Sequence, residues 1–412
     1  MHRRLLLIIA FTFLASRVFA CTADTTTATF AANLANAAPG STLCLDAGTY
    51  SNWAAGSGVT KTTPGVTLLA ASGATVTFPF SFAQNSPVIA WLIFDGITFK
   101  GGNMSGPTHD ITIQNSDFGD KINIYGSANN NACGSCPAMN NNNILFNNDL
   151  FDMSLNQSGT GGYEGRINIL GNSLPAGVTI KNSKFTTGCA DGIQSVGGGG
   201  NGFTIGPGNE FYNIKQGSCG QHVDSFQFVG SSSPGPTITC NYFHDNSTGI
   251  VGYDNANTAI ISNNVVVNIT QDAICMGGVN SNTIIEHNTV PGANISCSSN
   301  HEISAPCTAV IRNNISRGYD GGGAPGNFQP SYFDYNLCTA GSCAFNGFGP
   351  GAHSLNGTPT YVGGSNPNTY AGFALTADSL GHNAGSDGKD MGVDITADPP
   401  PDPPTGLAAE VQ

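Results

Sequence analysis

The feature that most constrains the fold of this chain is a four-residue pattern that returns six times between residues 120 and 275, with an apolar residue in third place. The two clearest copies are Asp191-Gly192-Ile193-Gln194 and Asp224-Ser225-Phe226-Gln227. The other copies begin at Asp120, Gly165, Thr248 and Asp272. Successive copies start 45, 26, 33, 24 and 24 residues apart. A unit that returns at such intervals predicts a solenoid of short strands.

A second recurring line consists of two or three β-forming residues, one further residue, an asparagine and often an aromatic residue. Most of its markers are separated by one or two coils of about 22–34 residues; they are Asn115, Asn148, Asn182, Asn241, Asn263 and Asn313. Asparagine tolerates left-handed backbone geometry, and stacked amides hydrogen-bond to one another. We therefore interpret this line as a structural ladder of turns and not as a binding site.

Together the two lines give at least two strand segments per coil. They predict an all-β fold: a right-handed single-stranded parallel β-helix of about ten coils between residues 65 and 340. A propeller requires repeats of about 40 residues with four strands each, and a sandwich would lack the return at coil length. Phe30 and Leu34 share one face of a short helix near residues 29–37, which we expect to cap the open end of the solenoid.

The ends of the chain differ in composition from the repeats. Residues 1–20 have a basic start and a short apolar run, as in a secretory signal peptide, so we expect a secreted or cell-surface protein. No other stretch is long enough to span a membrane. We expect residues 21–345 to form the β-helix with its cap and residues 346–397 to extend or cap it. Residues 398–412 form a proline-rich tail.

The chain is acidic but contains few charges. Its formal net charge is −13, and loss of residues 1–20 leaves 10 basic against 26 acidic residues, a net charge of −16. This balance argues against nucleic acid and anionic membranes as partners. Only 9% of residues are charged and 55 are glycine, which suits short strands joined by tight turns.

All twelve cysteines lie beyond residue 20. An even count in an exported protein allows six disulfides. Proximity predicts the pairs Cys21–Cys44, Cys133–Cys136 and Cys338–Cys343, and the sequence leaves the other six cysteines unassigned. The spacing of Cys133 and Cys136 also occurs in redox and zinc motifs, but no second pair matches it, so a loop disulfide is favoured.

The six-fold pattern also carries the candidate site. If Ile193 and Phe226 point into the core, alternation directs the neighbouring polar residues outward. These outward residues are Lys121, Arg166, Asn168, Gln194 and Gln227. Asp191 and Asp224 then lie where their strands begin, either at the rim of a site or as caps of turns. His222 and Tyr253 fall on the same side, one titrating near neutrality beside a carboxylate and the other closing the next coil.

Two segments resemble the pectate-lyase-type right-handed parallel β-helix superfamily, in particular exported bacterial β-helix repeat proteins. AANLANAAPGSTLCLDAGTYS is similar to the cap helix and first strand of these proteins, and GHNAGSDGKDMGVDI is similar to the tail of many of them. The resemblance covers roughly residues 25–397. It implies action on polysaccharides, often polyuronates, as a lyase, hydrolase or epimerase, or binding alone.

The chain departs from two patterns within that superfamily. Polygalacturonases carry N-T-D, D-D and G-H-G on successive coils, whereas here Ala190 and Val223 stand beside Asp191 and Asp224, and G-H-G is absent. Calcium-dependent pectate lyases group aspartates beside a basic residue. The resemblance to them implies a possible Ca²⁺ ion at Asp191 and Asp224, with Lys121 or Arg166 nearby.

We therefore expect a polysaccharide lyase that acts by β-elimination on an acidic, uronate-containing glycan. The expected catalytic residues are Arg166, Asp191, His222 and Asp224, and the expected substrate-binding residues are Lys121, Asn168, Gln194, Gln227 and Tyr253. Arg166, Lys121 or Tyr253 would act as the base if its pKa were lowered. Two alternatives remain: a glycoside hydrolase using Asp191 and Asp224, and a non-catalytic glycan-binding protein. We expect a monomer with no organic cofactor.

Overall fold

The computed structural model describes residues 20–51, 59–83, 88–105, 108–125, 142–152, 165–170, 177–196, 202–217, 222–230, 235–253, 256–278, 282–298, 306–320, 328–344 and 348–396. Three sequence predictions lie outside the described residues: the signal peptide over residues 1–19, the Cys133–Cys136 disulfide and the tail over residues 398–412.

The described residues contain one α-helix, one short 3₁₀ helix and thirty-three strands. The helix α1 spans Phe30–Asn36 and the 3₁₀ helix spans Tyr370–Phe373. In chain order the strands are β1 (Ala23–Thr25), β2 (Thr42–Leu45), β3 (Gly48–Thr49), β4 (Val59–Thr60), β5 (Val66–Ala70), β6 (Val76–Ala83), β7 (Ile89–Asp95), β8 (Thr98–Ser105), β9 (His109–Gln114), β10 (Asp117–Phe118), β11 (Ile122–Tyr125), β12 (Ile144–Asn147), β13 (Leu150–Asp152), β14 (Gly165–Leu170), β15 (Val178–Lys181), β16 (Lys184–Thr186), β17 (Asp191–Val196), β18 (Thr204–Ile205), β19 (Glu210–Tyr212), β20 (Asp224–Val229), β21 (Thr237–Thr239), β22 (Tyr242–His244), β23 (Thr248–Tyr253), β24 (Ile260–Ser262), β25 (Val265–Val267), β26 (Ile274–Gly277), β27 (Ile284–Glu286), β28 (Thr289–Ser298), β29 (Val310–Arg312), β30 (Ile315–Asp320), β31 (Tyr332–Asp334), β32 (Leu337–Cys338) and β33 (Leu355–Asn356).

These strands stack into three parallel sheets that run along the solenoid. Sheet A follows the order β1-β2-β5-β7-β9-β12-β15-β18-β21-β24-β27-β29-β31, with β4 beside β7. Sheet B follows β3-β6-β8-β10-β13-β16-β19-β22-β25-β28-β30-β32-β33. Sheet C follows β8-β11-β14-β17-β20-β23-β26-β28-β30. The long strands β6, β8, β28 and β30 extend across both B and C, and the coils between β8 and β30 pass through all three sheets.

The register of sheet C matches the six-fold sequence pattern. Its third-position residues are direct partners on successive strands: Ile122, Ile167, Ile193, Phe226, Ile250 and Ile274. All six are fully buried. From β12 to β31, sheet A partners are between 22 residues apart (Ile311 and Phe333) and 34 residues apart (Phe146 and Ile180). The all-β, right-handed single-stranded parallel β-helix predicted from the sequence is therefore confirmed.

A column of stacked phenylalanines fills the interior beneath sheet B. The ring centroids of Phe118, Phe151, Phe185, Phe211 and Phe243 are 4.4–4.5 Å apart, and successive planes are inclined by 5–13°. Each ring comes from one coil, so the spacing of the parallel strands sets the spacing of the rings. Their burial makes this column a large part of the apolar core.

The asparagine line divides into two lines, one residue apart, at the turn after sheet A. Asn115, Asn148, Asn182, Asn263 and Asn313 have positive φ angles of 52–60°. The position after this one is buried, and from Asn209 onward its asparagines form a hydrogen-bonded ladder in which each amide Nδ2 donates to the next Oδ1 at 2.9–3.2 Å. This ladder contains Asn209, Asn241, Asn264, Asn288, Asn314 and Asn336. Asn241 therefore belongs to the buried ladder, so the sequence markers mixed the two lines.

The amino-terminal end is closed as predicted. Phe30 and Leu34 on α1 are 4% and 3% exposed, and the Phe30 ring packs edge-on against Tyr50 at 5.0 Å. Tyr50 in turn stacks on Phe78 at 5.0 Å. The helix thus covers the first coil, and the predicted Cys21–Cys44 disulfide ties β2 to the preceding chain.

The cysteines follow the sequence expectation in part. Cys21–Cys44 and Cys338–Cys343 are bonded as predicted, and Cys297–Cys307 is a third pair within the described residues. Cys240 and Cys275 are buried thiols, so the estimate of six disulfides from the even count is too high. Among the described residues, no helix is both long and apolar enough to cross a membrane.

Residues 348–396 lie against the last coils of the β-helix. A second apolar cluster joins Tyr361, Tyr370, Phe373 and Met391 to Val265 and other residues of sheet B. Hydrogen bonds reinforce this contact, because Tyr370 Oη donates to the Asn263 carbonyl at 2.7 Å. The domain boundaries at residues 345 and 397 remain predictions.

Candidate active site

His222 and Asp224 form a hydrogen-bonded pair where β20 begins. Nδ1 of His222 lies 2.9 Å from Oδ2 of Asp224, and the His222 side chain is 43% exposed whereas that of Asp224 is fully buried. Burial raises the pKa of the Asp224 carboxyl, His222 and Thr248 oppose that shift, and Asp272 adds to it. A buried carboxylate that contacts Nδ1 fixes the tautomer and orientation of an imidazole.

Asp191 lies one coil before Asp224 and supports the same strand entry. Its Oδ1 accepts the backbone N–H of Asp224 at 2.8 Å, and the residue is only 1% exposed. This contact is the turn-capping role that the sequence allowed for the aspartates. It also fixes the backbone from which the Asp224 carboxylate reaches His222.

Tyr253 closes the other side of the pair. It ends β23, one coil beyond Val229, and its ring centroid is 6.3 Å from that of His222 at an interplanar angle of 57°. Burial raises the pKa of the Tyr253 hydroxyl well above its ordinary value, and the charges of Asp224, Asp272 and other nearby groups add to the shift. The Tyr253 hydroxyl thus keeps its proton at neutral pH, which disfavours the base role considered from the sequence.

The predicted binding amides form a line on sheet C. Asn168 Nδ2 donates to Asn123 Oδ1 at 3.1 Å, and Gln194 Nε2 donates to Gln227 Oε1 at 2.9 Å. Asn168 is fully buried and Gln194 is 9% exposed, while Gln227 is partly exposed. Gln227 is therefore the member of the line best placed to meet a substrate beside His222.

Arg166 is placed differently from the outward orientation that alternation suggests. Its side chain is fully buried, with Nη1 donating to the carbonyls of Ala190 and Asp191 and Nη2 donating to those of Thr186 and Thr187. Burial lowers the pKa of Arg166 to about 10, and Asp191 and Asp152 oppose that shift. The guanidinium thus stabilises the turn between β16 and β17. We expect Arg166 to position this turn and not to act as a base.

Lys121 stands further from the pair than the other predicted residues. It immediately precedes β11, whose residue Ile122 pairs with Ile167, which pairs in turn with Ile193. Two coil steps therefore separate Lys121 from the level of Asp191, a distance of roughly 10 Å along the solenoid axis. The structure places His222, Asp224, Asp191 and Tyr253 close together. Gln194 lies on the same strand as Asp191, and Gln227 lies on the same strand as Asp224.

Three residues beside the pair were not selected from the sequence: Thr248, Asp272 and Cys275. Burial and then Asp272, Asp224 and Asp320 raise the pKa of the Cys275 thiol well above its ordinary value, so it is protonated and poorly nucleophilic. The sequence contains a signal for these residues, because Thr248, Asp272 and Cys275 all lie in copies of the six-fold pattern. In the structure, Gln227 pairs with Val251 and Val251 pairs with Cys275. The line was hard to recognise because Val251 and Cys275 carry no amide.

The predicted calcium ligands do not form a calcium cage. Ca²⁺ takes about 6–8 oxygen ligands, whereas one oxygen of Asp191 accepts a backbone N–H and one of Asp224 contacts His222. Across the part of the chain that the structure describes, the single group of three closely spaced ligand side chains is Cys21, Asp24 and Cys44. Its two cysteines form a disulfide. These contacts leave few oxygens for a metal ion, and Ca²⁺ at Asp191 and Asp224 stays a prediction.

Comparison with known proteins gives structural neighbours but no relative in sequence. No protein-family model and no curated protein matches the chain. Pectate lyase Pel9A is 14% identical with a TM-score of 0.42, covering 91% of this chain and 96% of its own. A mannuronic acid specific polysaccharide family 6 lyase from human gut microbiota is 12% identical with a TM-score of 0.42, covering 78% and 88%. The PL6 family polysaccharide lyase Pedsa3628 from Pseudopedobacter saltans is 12% identical with a TM-score of 0.42, covering 86% and 87%.

By its own strand topology, the chain has a parallel β-helix architecture. Its activity has to be argued from its residues, because one fold hosts many functions.

Proposed function

We propose that the protein is an exported polysaccharide lyase that cleaves an acidic, uronate-containing glycan by β-elimination. The observation that carries the proposal is the half-exposed His222 held through Nδ1 by the buried carboxylate of Asp224. This arrangement supplies a group that titrates near neutrality, oriented by a partner that solvent does not reach. The three described disulfides and the sequence of residues 1–20 support export.

In the proposed reaction, Nε2 of His222 takes the proton from the carbon that bears the uronate carboxylate. The electron pair of that C–H bond forms a double bond to the neighbouring carbon, whose bond to the glycosidic oxygen breaks. Tyr253 donates its phenolic proton to the departing oxygen, since its raised pKa keeps it protonated until then. Asp224 stabilises the imidazolium that forms on His222. Solvent then returns the proton to Tyr253 and removes the proton from His222.

The substrate carboxylate must be neutralised or hydrogen-bonded for its neighbouring proton to be removed. The amide of Gln227 is the proposed donor; its Oε1 accepts a hydrogen bond from Gln194 at 2.9 Å. Asn168 is the strand partner of Gln194 on the preceding coil. Arg166 and Asp191 position the strand entries that carry these groups. Lys121, two coil steps before Asp191 along the solenoid, would contact a neighbouring sugar unit. No step of this proposal needs calcium.

The alternative hydrolytic mechanism would use Asp191 and Asp224 as an acid–base pair. Both carboxylates are at least 99% buried. Asp191 already accepts the backbone N–H of Asp224 on the next coil, and Asp224 already contacts His222. Two carboxylates that are buried and already engaged in these contacts are poorly placed to activate water and protonate a leaving group. Hydrolysis and simple binding therefore enter as outcomes of the test.

The test follows unsaturated-product absorbance and new reducing ends in parallel on pectate, alginate, hyaluronan and a neutral glycan. Each assay is run with added Ca²⁺ and with a chelator. Absorbance together with reducing ends, independent of calcium, is the expected result for at least one of the acidic glycans. Reducing ends alone would identify a hydrolase, and binding without cleavage would identify a glycan-binding protein. Activity that the chelator abolishes would contradict the metal-free mechanism.

The matched variants are His222→Ala and His353→Ala. His353 makes the same kind of contact, with Nδ1 2.8 Å from Oδ2 of Asp334, but its side chain is 57% exposed near the end of the solenoid. His222→Ala should reduce kcat by roughly a hundredfold or more, the usual contribution of a general base. His353→Ala should leave activity intact. Equal activity of both variants would refute the assignment of His222.

A further inference from the structure

A polar cavity of about 320 Å³ lies at the corner of the solenoid where the last coils meet the carboxy-terminal segment. Its floor is built at the ends of β24, β27 and β29 by residues that include Asn263, Glu286 and Arg312. Its wall is built by residues of the segment 386–394. The cavity opens at the turn after sheet A, whereas His222 and Asp224 stand at the entry to sheet C. It is therefore separate from the proposed active site.

The cavity is held in shape by contacts between the carboxy-terminal segment and the turns. Nδ1 of His287 faces the carbonyl oxygens of Asp390 and Gly392 at 3.1 and 3.2 Å. Asn313 Oδ1 accepts the backbone N–H of Ser386 at 2.9 Å, and Asn263 Oδ1 accepts that of Asp394 at 3.0 Å. A cavity fixed by backbone contacts on both sides is preorganised, so a ligand would lose little free energy in ordering it.

Each cation of the cavity already faces a carboxylate. Arg312 Nε donates to Glu286 Oε2 at 2.8 Å, and Lys389 Nζ lies 2.8 Å from Asp394 Oδ2. Asp387 Oδ2 lies 3.2 Å from Nε2 of His287. An entering anion would meet no uncompensated positive charge, and an entering cation would meet Arg312 and Lys389. The lining thus holds the two cations and three carboxylates, those of Glu286, Asp387 and Asp394, and this excess of one negative charge disfavours an anionic ligand.

Several donors and acceptors nevertheless face the cavity. Arg312 uses only Nε in its contact with Glu286, so its two Nη groups have no hydrogen-bond partner among the described residues. The Lys389 side chain is 52% exposed and that of Asp387 is 41% exposed. A lining that offers both donors and acceptors matches vicinal hydroxyl groups, because each hydroxyl both donates and accepts.

We infer that this cavity binds one neutral sugar unit of a glycan through its hydroxyl groups. Its volume is at the small end of the range of about 300–1,000 Å³ for ligand pockets, which suits a single sugar ring. Arg312 and Asp387 would bind neighbouring hydroxyls from opposite sides. The inference rests on the proposed function in that both concern a glycan, and it adds an accessory site that retains neutral parts of a mixed polysaccharide.

The test uses saturation-transfer NMR followed by titration with methyl glycosides of glucose, galactose, mannose and xylose, and with galacturonate as the charged counterpart. The protein carries His222→Ala, so that loss of the proposed lyase activity and loss of sugar binding are observed separately. At least one neutral glycoside should bind. Absence of binding by all four, or tighter binding of galacturonate than of galactose, would overturn the inference.

The variants that assign binding to the cavity are Arg312→Gln and Asp387→Asn, with Arg317→Gln as the control. Arg317 lies on β30, is exposed and is not part of the cavity lining. Either cavity variant should raise Kd at least roughly tenfold, as expected when a charge-assisted hydrogen bond is lost. Arg317→Gln should leave Kd unchanged. Thermal unfolding checks that the variants remain folded, and unchanged Kd in both folded cavity variants would refute the site.

Discussion

Oδ2 of Asp224 lies 2.9 Å from Nδ1 of His222, with the carboxylate fully buried and the imidazole 43% exposed. The two residues are two positions apart where the chain enters β20, so the pair is formed locally. Its support is not local, because Asp191 from the preceding coil accepts the backbone N–H of Asp224. A short local motif is thus made rigid by the stacking of coils.

The first prediction concerns the buried partner of His222. Asp224→Asn should lower kcat roughly a hundredfold or more, because an amide no longer favours the imidazolium or the tautomer with its proton on Nδ1. The fold should survive, since asparagine has nearly the shape of aspartate and brings no charge into this buried position. Kinetics on the cleaved glycan measure the effect, with Asp334→Asn as the control. Full activity of Asp224→Asn would remove the pair from the mechanism.

The second prediction separates a structural role of Arg166 from a chemical one. Arg166→Ala leaves four backbone carbonyls without the guanidinium donor, so it should reduce the free energy of unfolding by about 3–5 kcal/mol and should also lower activity. Denaturant unfolding and kinetics are measured on the same sample, beside the exposed Arg317→Ala. Loss of activity at unchanged stability would instead support the base role considered from the sequence.

The third prediction concerns Asp149, a fully buried carboxyl in the line occupied elsewhere by the ladder asparagines. Its Oδ1 accepts the N–H of Ser116 at 2.9 Å, and its Oδ2 accepts that of Asn147 at 3.0 Å. Burial raises the pKa of Asp149 well above its ordinary value, and Asp117 adds to the shift. The folded state therefore retains a proton that the unfolded state releases as pH rises above about 3.9.

It follows that Asp149 costs stability at neutral pH and nothing at pH values below about 3.9, where both states are protonated. Asp149→Asn can adopt the arrangement of Asn241, whose Nδ2 donates to the carbonyl two residues earlier. The variant should thus have a higher Tm than wild type at pH 7, and the difference should disappear near pH 3.5. The exposed Asp46→Asn controls for net charge. A Tm difference independent of pH would contradict this account.

The fourth prediction tests the phenylalanine column. Phe185 stacks on Phe151 at 4.5 Å and on Phe211 at 4.4 Å, so Phe185→Ala should leave a cavity between two rings that the strands hold apart. The expected loss is about 3–5 kcal/mol of unfolding free energy. Tyr332→Ala, at a ring that is 42% exposed, should change it by less than about 0.5 kcal/mol. Equal losses would show that the column contributes no special stability.

The fold could be predicted because its repeats place equivalent residues in register. Ile193 and Phe226 were identified from sequence alone, and they are direct partners in sheet C. The position of the asparagine line was predicted only to within one residue, because Asn263 and Asn264 are adjacent and have different structural roles. Asn263 adopts a positive φ, whereas Asn264 forms the buried ladder.

The candidate site was harder to predict because it depends on how far each side chain reaches. Alternation gave Arg166 an outward direction, yet its long side chain turns into the corner of the next coil to reach four carbonyls. The pKa of Tyr253 depends on Asp224 and Asp272, which are close in space but 29 and 19 positions away along the chain. Such contacts between coils leave no local signature in the sequence.

The carboxy-terminal segment acts as a strap laid along the solenoid axis. It is fastened at the Asn263 carbonyl by Tyr370, at His287 by Asp390, and at the Asn313 carbonyl by the Gly392 N–H. In a stack of coils that contact only their neighbours, the end coil can peel away alone. Here three successive coils, those of Asn263, His287 and Asn313, are hydrogen-bonded to one segment, so we expect these coils and the segment to unfold together.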